Sequence, residues 1–199
     1  MDDADKNRRD EIVQAALNVF AEQGFHKASI KQIAAAAGLK SPSLIYWYFK
    51  DKEELLYAVM SSLTPVFDLA ANADTVMDMP PEEVLPLLAQ GFSTIVTNPN
   101  AIRIIKIFLS EAVRSAESIT PATQNAERVL NFLISYLGRQ IDLGRLRPHN
   151  PQTSSRAFVW MLFGYLMTHE IIPQMGVGLP DVDSYKREII EIFLIGLRP

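Results

Sequence analysis

Four residues of one short segment, Ser43, Tyr46, Trp47 and Lys50, stand at i, i+3, i+4 and i+7, the spacing of a single helix face. Leu44, Ile45, Tyr48 and Phe49 fall on the opposite, apolar side. A two-turn helix has no interior of its own in which to hide a tyrosine and a tryptophan. With Lys40, Lys50 and Lys52 alongside, the outward face reads as a surface built to meet a ligand. The chemistry that fits is a polyanion. Lysines neutralise phosphates and release counterions, and tyrosine hydroxyls hydrogen-bond phosphate oxygens. Ser43 and the edge of Trp47 suit base edges or thymine methyls. The segment holds no Arg or Asn, the usual bidentate readers of guanine and adenine, so shape and water are expected to outweigh direct readout. The competing reading is an all-helical interaction module whose N-terminal heads bind protein instead of DNA; steep salt dependence belongs to phosphate binding and separates the two.

Other chemistries find little support. The chain has no cysteine and three separated histidines, His26, His149 and His169, so disulfides, thiolate nucleophiles and a structural metal site are excluded. No G-x-S-x-G, phosphate-binding loop, G-x-G-x-x-G or H-E-x-x-H occurs. Carboxylate pairs such as Glu53/Glu54, Glu82/Glu83 and Glu188/Glu191 fall at helix starts or faces, where they favour the helix dipole and solubility over acid–base work. No catalytic residue, metal or cofactor is expected.

The elements that must position the aromatic segment are helical. The first helix is expected from about Arg8 to Gln23, with Ile12, Ala16, Val19 and Phe20 on one stripe and Gly24 in the left-handed position that ends it. Ser29 and Gln32 form an S-x-x-Q capping box for a second helix that Gly38 closes. Ser41 and Pro42 cap and open a third, to about Phe49, and Asp51 with Glu54 opens a fourth, which Pro65 kinks or ends. A loose connection around 74–81 leads to a helix from Pro81 to about Thr97. Asn98-Pro99-Asn100 separates it from a helix over 101–114. Thr120-Pro121 opens a long helix ending near Gly144, Asn150-Pro151 one running to Ile172, and the last spans about 183–197. About nine helices result, and the fold class is all-α.

Charge is divided along the chain. Of 199 residues, those from Lys6 to Lys52 carry eight Lys/Arg against four Asp/Glu, whereas 53–199 carry eleven against sixteen and the first five add three acids. A basic block on an acidic body fits a module facing a polyanion. Hydrophobic residues make up 48% of the chain, enough to bury a core without staples. The densest apolar run, 157–167, is about half of what spanning a bilayer requires, and the acidic start is no signal peptide. A cytoplasmic protein with no membrane partner is expected.

Residues 12–56 strengthen the case. They contain A-x-x-x-F-x-x-x-G-F (Ala16, Phe20, Gly24, Phe25), then Ser29, Ile33 and Ala34, the turn Ala37-Gly38-Leu39, the signature Tyr46, Tyr48, Phe49, and the entry Phe49, Lys50, Lys52, Glu53, Leu55. This run resembles the DNA-binding domain of the TetR family of bacterial transcriptional regulators. The resemblance implies a three-helix, homeodomain-like helix-turn-helix domain over 6–56, with its recognition helix at about 42–49, and a helical regulatory and dimerisation domain over 57–199. It implies DNA contacts from Lys27, Ser29, Lys40, Ser41, Pro42, Ser43, Tyr46, Trp47, Tyr48, Lys50 and Lys52, with Tyr46, Tyr48 and Lys52 on phosphate. One departure is visible: from Gly38 to Tyr46 the chain has one residue more than the commonest spacing. Which third-helix side chains read bases therefore stays open.

The second half implies the rest. In this family the last two long helices pair with those of a second copy, and here only Glu191 is charged from Ile189 to Leu197, so the last helix must be covered on several sides. Phe158, Leu162, Ile189, Phe193 and Leu197 are the expected interface of a homodimer. Family members carry an inducer pocket within the bundle, for which Phe92, Phe108, Phe132, Tyr136, Trp160 and His169 are the candidates, with a small apolar or aromatic inducer. The expected function is a ligand-responsive repressor that binds a palindromic, double-stranded operator as a dimer. Inducer binding releases it by shifting two heads that must match half-sites one helical turn apart.

Overall fold

The computed structural model describes residues 3–63, 76–114 and 120–199, which form two compact units. Among the described residues the secondary structure is entirely helical, and no helix is long and apolar enough to cross a membrane. Pro65 and the start of the 74–81 connection lie outside the described residues.

The first unit comprises residues 1–63 and 98–124. It contains α1 (Asp3–Gln23), α2 (Ile30–Ala36), a helix of 3-10 geometry (Pro42–Trp47), α3 (Lys52–Ser62) and α5 (Pro99–Arg114). The stripe Ile12, Ala16, Val19 and Phe20 is buried as its period dictates, against Phe25, Ile33, Ile45, Phe49, Leu55 and Val59. Gly24 (φ 77°) ends α1. α1 begins five residues earlier than the apolar stripe indicates, with Asp5 in its positive first turns. The unit reaches beyond residue 56 and gathers α5 because Ile104 is buried in the same core and Ile107 packs on it.

The second unit comprises 64–97 and 125–199. It is built from α4 (Pro81–Val96), the greater part of α6 (Thr120–Asp142), α7 (Pro151–Leu166) and α8 (Val182–Leu197). Asn150 caps α7 by accepting from the Gln152 and Thr153 amides, and Asp181 caps α8 through Asp183 and Ser184. α7 does not run regularly to Ile172: from Met167 to Ile171 it widens into a π turn, closed by Ile172 N donating to Met167 O at 2.7 Å. The chain then folds back so closely at residue 176 that a Cβ there would strike the Thr168 carbonyl, which is why glycine occupies it.

The core of this unit corrects four of the five residues expected at the interface. Phe158, Leu162, Phe193 and Leu197 are buried in the chain's own interior, with the Phe158 and Phe193 rings 5.0 Å apart, and Ile189 packs at its edge. Side chains already covered by their own chain have almost no surface left for a second copy. The apolar residues that α7 and α8 leave exposed are others: Val159, Trp160, Ile192 and Ile195.

Candidate nucleic-acid interface

The aromatic segment is fixed at both ends by local hydrogen bonds. Upstream, Ser29 Oγ accepts from Gln32 N while Gln32 Oε1 accepts from Ser29 N at 2.9 Å, completing the capping box of α2. α2 closes in a Schellman turn at Gly38 (φ 66°): Gly38 N donates to Ala35 O and Leu39 N to Ala34 O. Ser41 then caps the next helix, its Oγ accepting from Ser43 N at 3.3 Å and lying 2.7 Å from Ser43 Oγ. Downstream, Asp51 Oδ1 accepts from Glu54 N at 2.7 Å, and the Glu54 carboxylate takes the Lys50 amide. Three side-chain caps in 26 residues leave the intervening backbone little freedom.

The helix between these caps is six residues long, Pro42–Trp47, and of 3-10 winding where an α-helix was expected, with Leu44 N bonded to Ser41 O and Tyr48 N to Ile45 O. Short runs adopt this tighter winding readily. Its two faces are as the sequence dictates. Ile45 and Phe49 are fully buried, and Arg9 lies over the Phe49 ring at 4.9 Å. Tyr46 is 56% exposed and Trp47 82%. Pro42, Ser43, Lys40 and Lys50 are exposed too, as is Lys27 in the turn between α1 and α2. An outward tyrosine and tryptophan on a segment that also exposes Lys40 and Lys50 is an arrangement for stacking, methyl contact and phosphate neutralisation. By contrast, the open groove of about 450 Å³ between α1 and α2, lined by Asn7, Asp10, Glu11, Gln14 and Ala36 among others, presents carboxylates and would repel phosphate.

Two expected phosphate contacts are placed differently. Tyr48 is half-buried and its hydroxyl donates to Asp5 Oδ1 at 3.4 Å. Lys52 turns its ammonium to the chain itself, donating to Phe25 O at 2.8 Å and Ala28 O at 3.0 Å above the Phe25 ring. Ser29 spends its hydroxyl on the cap of α2. Sequence reasoning missed Asp5 and Arg9, which support the segment from α1; an Arg one helical repeat before the apolar stripe was the available signal for the latter.

Neighbouring proteins decide the family. Residues 12–59 match the family described as bacterial regulatory proteins, tetR family, and residues 83–194 match the AefR-like transcriptional repressor C-terminal domain. The chain belongs to the TetR family. The helix-turn-helix lies within residues 12–59, the part of the first unit that matches these bacterial regulatory proteins. Among relatives, the HTH-type transcriptional regulator BetI of Rhizobium meliloti is 37% identical over 111 residues, 55% of this chain and 54% of that protein, so the match spans about half of the relative's length. Among solved structures, SmeT, the repressor of a Stenotrophomonas maltophilia multidrug efflux pump, superposes with a TM-score of 0.73 at 23% identity, covering 96% of this chain and 90% of that one. FadR from Bacillus subtilis in complex with stearoyl-CoA gives 0.75 at 20% identity, covering 94% and 97%. At these identities the structural likeness to SmeT and FadR is one of fold.

The pocket candidates differ in their surroundings within each unit. Phe132 and Tyr136 stack inside the second core with centroids 6.1 Å apart, and Phe92 packs on that core. The Tyr136 hydroxyl donates to Met79 O at 2.8 Å, and burial pushes its pKa well above the usual tyrosine value. Phe108 belongs to the first unit. Trp160 is 63% exposed, and His169 is exposed, stacked on Tyr165 and bonded to Glu170. Outward side chains cannot line an interior pocket, so Trp160 and His169 leave the pocket assignment.

Proposed function

We propose that the protein is a homodimeric transcriptional repressor. It binds a palindromic operator through the outward face of the Pro42–Trp47 helix and is released by a small apolar or aromatic inducer. The observation that carries the reading is the exposure of Tyr46 and Trp47 on a helix whose opposite side, Ile45 and Phe49, is locked into the core. Evolution of a merely structural helix would not leave two large rings in water beside Lys40 and Lys50. Tyr46 and the lysines supply phosphate contacts, and Ser43 and Trp47 supply the groove contacts.

Dimerisation is assigned to the exposed side of α7 and α8. Trp160, at 63%, Ile192, at 55%, and Ile195, at 54%, leave apolar surface in water on the two packed helices, the pattern that a second copy covers. An apolar inducer is supported by stearoyl-CoA, the molecule with which FadR from Bacillus subtilis is in complex. Selection of duplexes from a random pool by the purified protein, followed by sequencing, tests the reading. Enrichment of an inverted repeat whose binding weakens steeply with salt supports it; recovery of no preferred duplex refutes it.

A further inference from the structure

We infer that Lys52 is a positioning residue: it holds the turn between α1 and α2 so that Lys27 meets the phosphate backbone, and does not itself contact phosphate. The inference rests on the DNA-binding reading above. It starts from two carbonyls of the turn, those of Phe25 and Ala28. Gly24 ends α1 and Ser29 caps α2, so the turn between them needs partners for its carbonyls from outside the two helices. Ala28 N donates to Gly24 O at 3.3 Å. Lys52, arriving from the first turn of α3, supplies donors to the Phe25 and Ala28 carbonyls at 2.8 and 3.0 Å.

An ammonium carries three N–H donors, and two are committed here. The charge also sits 4.5 Å from the centroid of the Phe25 ring, which is itself buried against Phe20 at 5.5 Å. A lysine drawn out to phosphate would forfeit both hydrogen bonds and the ring contact. Lys27 lies between the two clamped carbonyls and is exposed. Pinning the backbone on either side of Lys27 sets the point from which its flexible stem reaches the duplex. The clamp therefore acts through Lys27.

Wild type, Lys52→Met, Lys27→Ala and the double variant, each titrated with a duplex of arbitrary sequence at roughly 50 to 200 mM NaCl, test this. Lys27→Ala is expected to flatten the slope of log affinity against log salt by about one per head. Lys52→Met is expected to do the same and to lower the folding midpoint. The decisive quantity is the double variant, which should be no flatter than Lys27→Ala alone, because the two residues act through one contact. A further loss of about one per head makes Lys52 a phosphate ligand and overturns the inference. A wild-type slope in either single variant overturns it as well. Should Lys52→Met fail to fold, side-chain ammonium resonances of the wild type decide: adding duplex should move the Lys27 signal and leave that of Lys52, and the reverse overturns the assignment. Wild type that binds no duplex, or binds without salt dependence, refutes the DNA-binding reading itself before any variant is compared.

Discussion

Trp47→Ala separates a binding surface from a packed core, because the same helix offers both. The indole is 82% exposed. Of the ~250 Å² that a tryptophan can bury, about a fifth is covered, and at ~25 cal/mol per Å² the fold gains only about 1 kcal/mol from it. Phe49, two residues on, is 1% exposed and lies under Arg9, and its truncation to alanine is expected to cost about 3–5 kcal/mol. The binding effects run the opposite way. Loss of the indole's groove contacts should weaken a selected duplex by about 1–3 kcal/mol per head, roughly fivefold to 150-fold. Thermal unfolding followed by circular dichroism, with fluorescence anisotropy of the labelled duplex at fixed salt, reads both quantities. Destabilisation by Trp47→Ala approaching that of Phe49→Ala would show the ring packed after all, and unchanged affinity would remove it from the interface; either result refutes the reasoning.

Three further outcomes are expected. Ile192→Glu and Ile195→Glu place charge on the exposed side of α8 and should convert the dimer to monomer on a sizing column at unchanged helicity, whereas Phe193→Ala should act on stability, by about 3–5 kcal/mol. Gly176→Ala should lower the unfolding midpoint by an amount worth about 1–3 kcal/mol, since a methyl there meets the Thr168 carbonyl; an unchanged midpoint would show that the fold-back relaxes freely. Arg139, bonded to Asp78 at 2.8 Å, holds that carboxyl below its ordinary value of 3.8. Because the folded value is the depressed one, the contribution is present above about pH 4 and fades as pH falls through the lower folded value. Asp78→Asn should therefore flatten the loss of urea resistance on the acid side, and identical acid profiles would count against the pair.

Much of the DNA-reading head was legible from short-range rules. Ser29 with Gln32, Gly38, Ser41 with Pro42, and Asp51 each act within four residues of their own position, and each appears in its expected place. The apolar stripe of α1 and the inward Ile45 and Phe49 follow from period alone. What was not legible required knowing which neighbour arrives from far along the chain. Lys52 reads as a free cation in the sequence, and only the return of α3 past the Phe25–Ala28 turn consumes its donors. Asp5 meets Tyr48 across 43 residues. The 3-10 winding of Pro42–Trp47 was equally hidden, since the same caps serve either geometry.

The four misassigned interface residues, Phe158, Leu162, Phe193 and Leu197, share one physical origin. A helix that is apolar nearly all round states that it is covered on several sides, but not by whom. α8 divides that cover. Ile190, Phe193 and Leu197, at spacings of three and four, meet the chain's own core, while Ile192 and Ile195, three apart on another side, remain in water. Phe193 goes inward, where it meets Phe158 at 5.0 Å and completes an interior that closes within one chain. Ile192 and Ile195 are left outside, with Trp160 on α7. In the dimer reading, the unit can thus fold on one face of α8 and pair on the other, so that mutations on the two faces should separate folding from assembly.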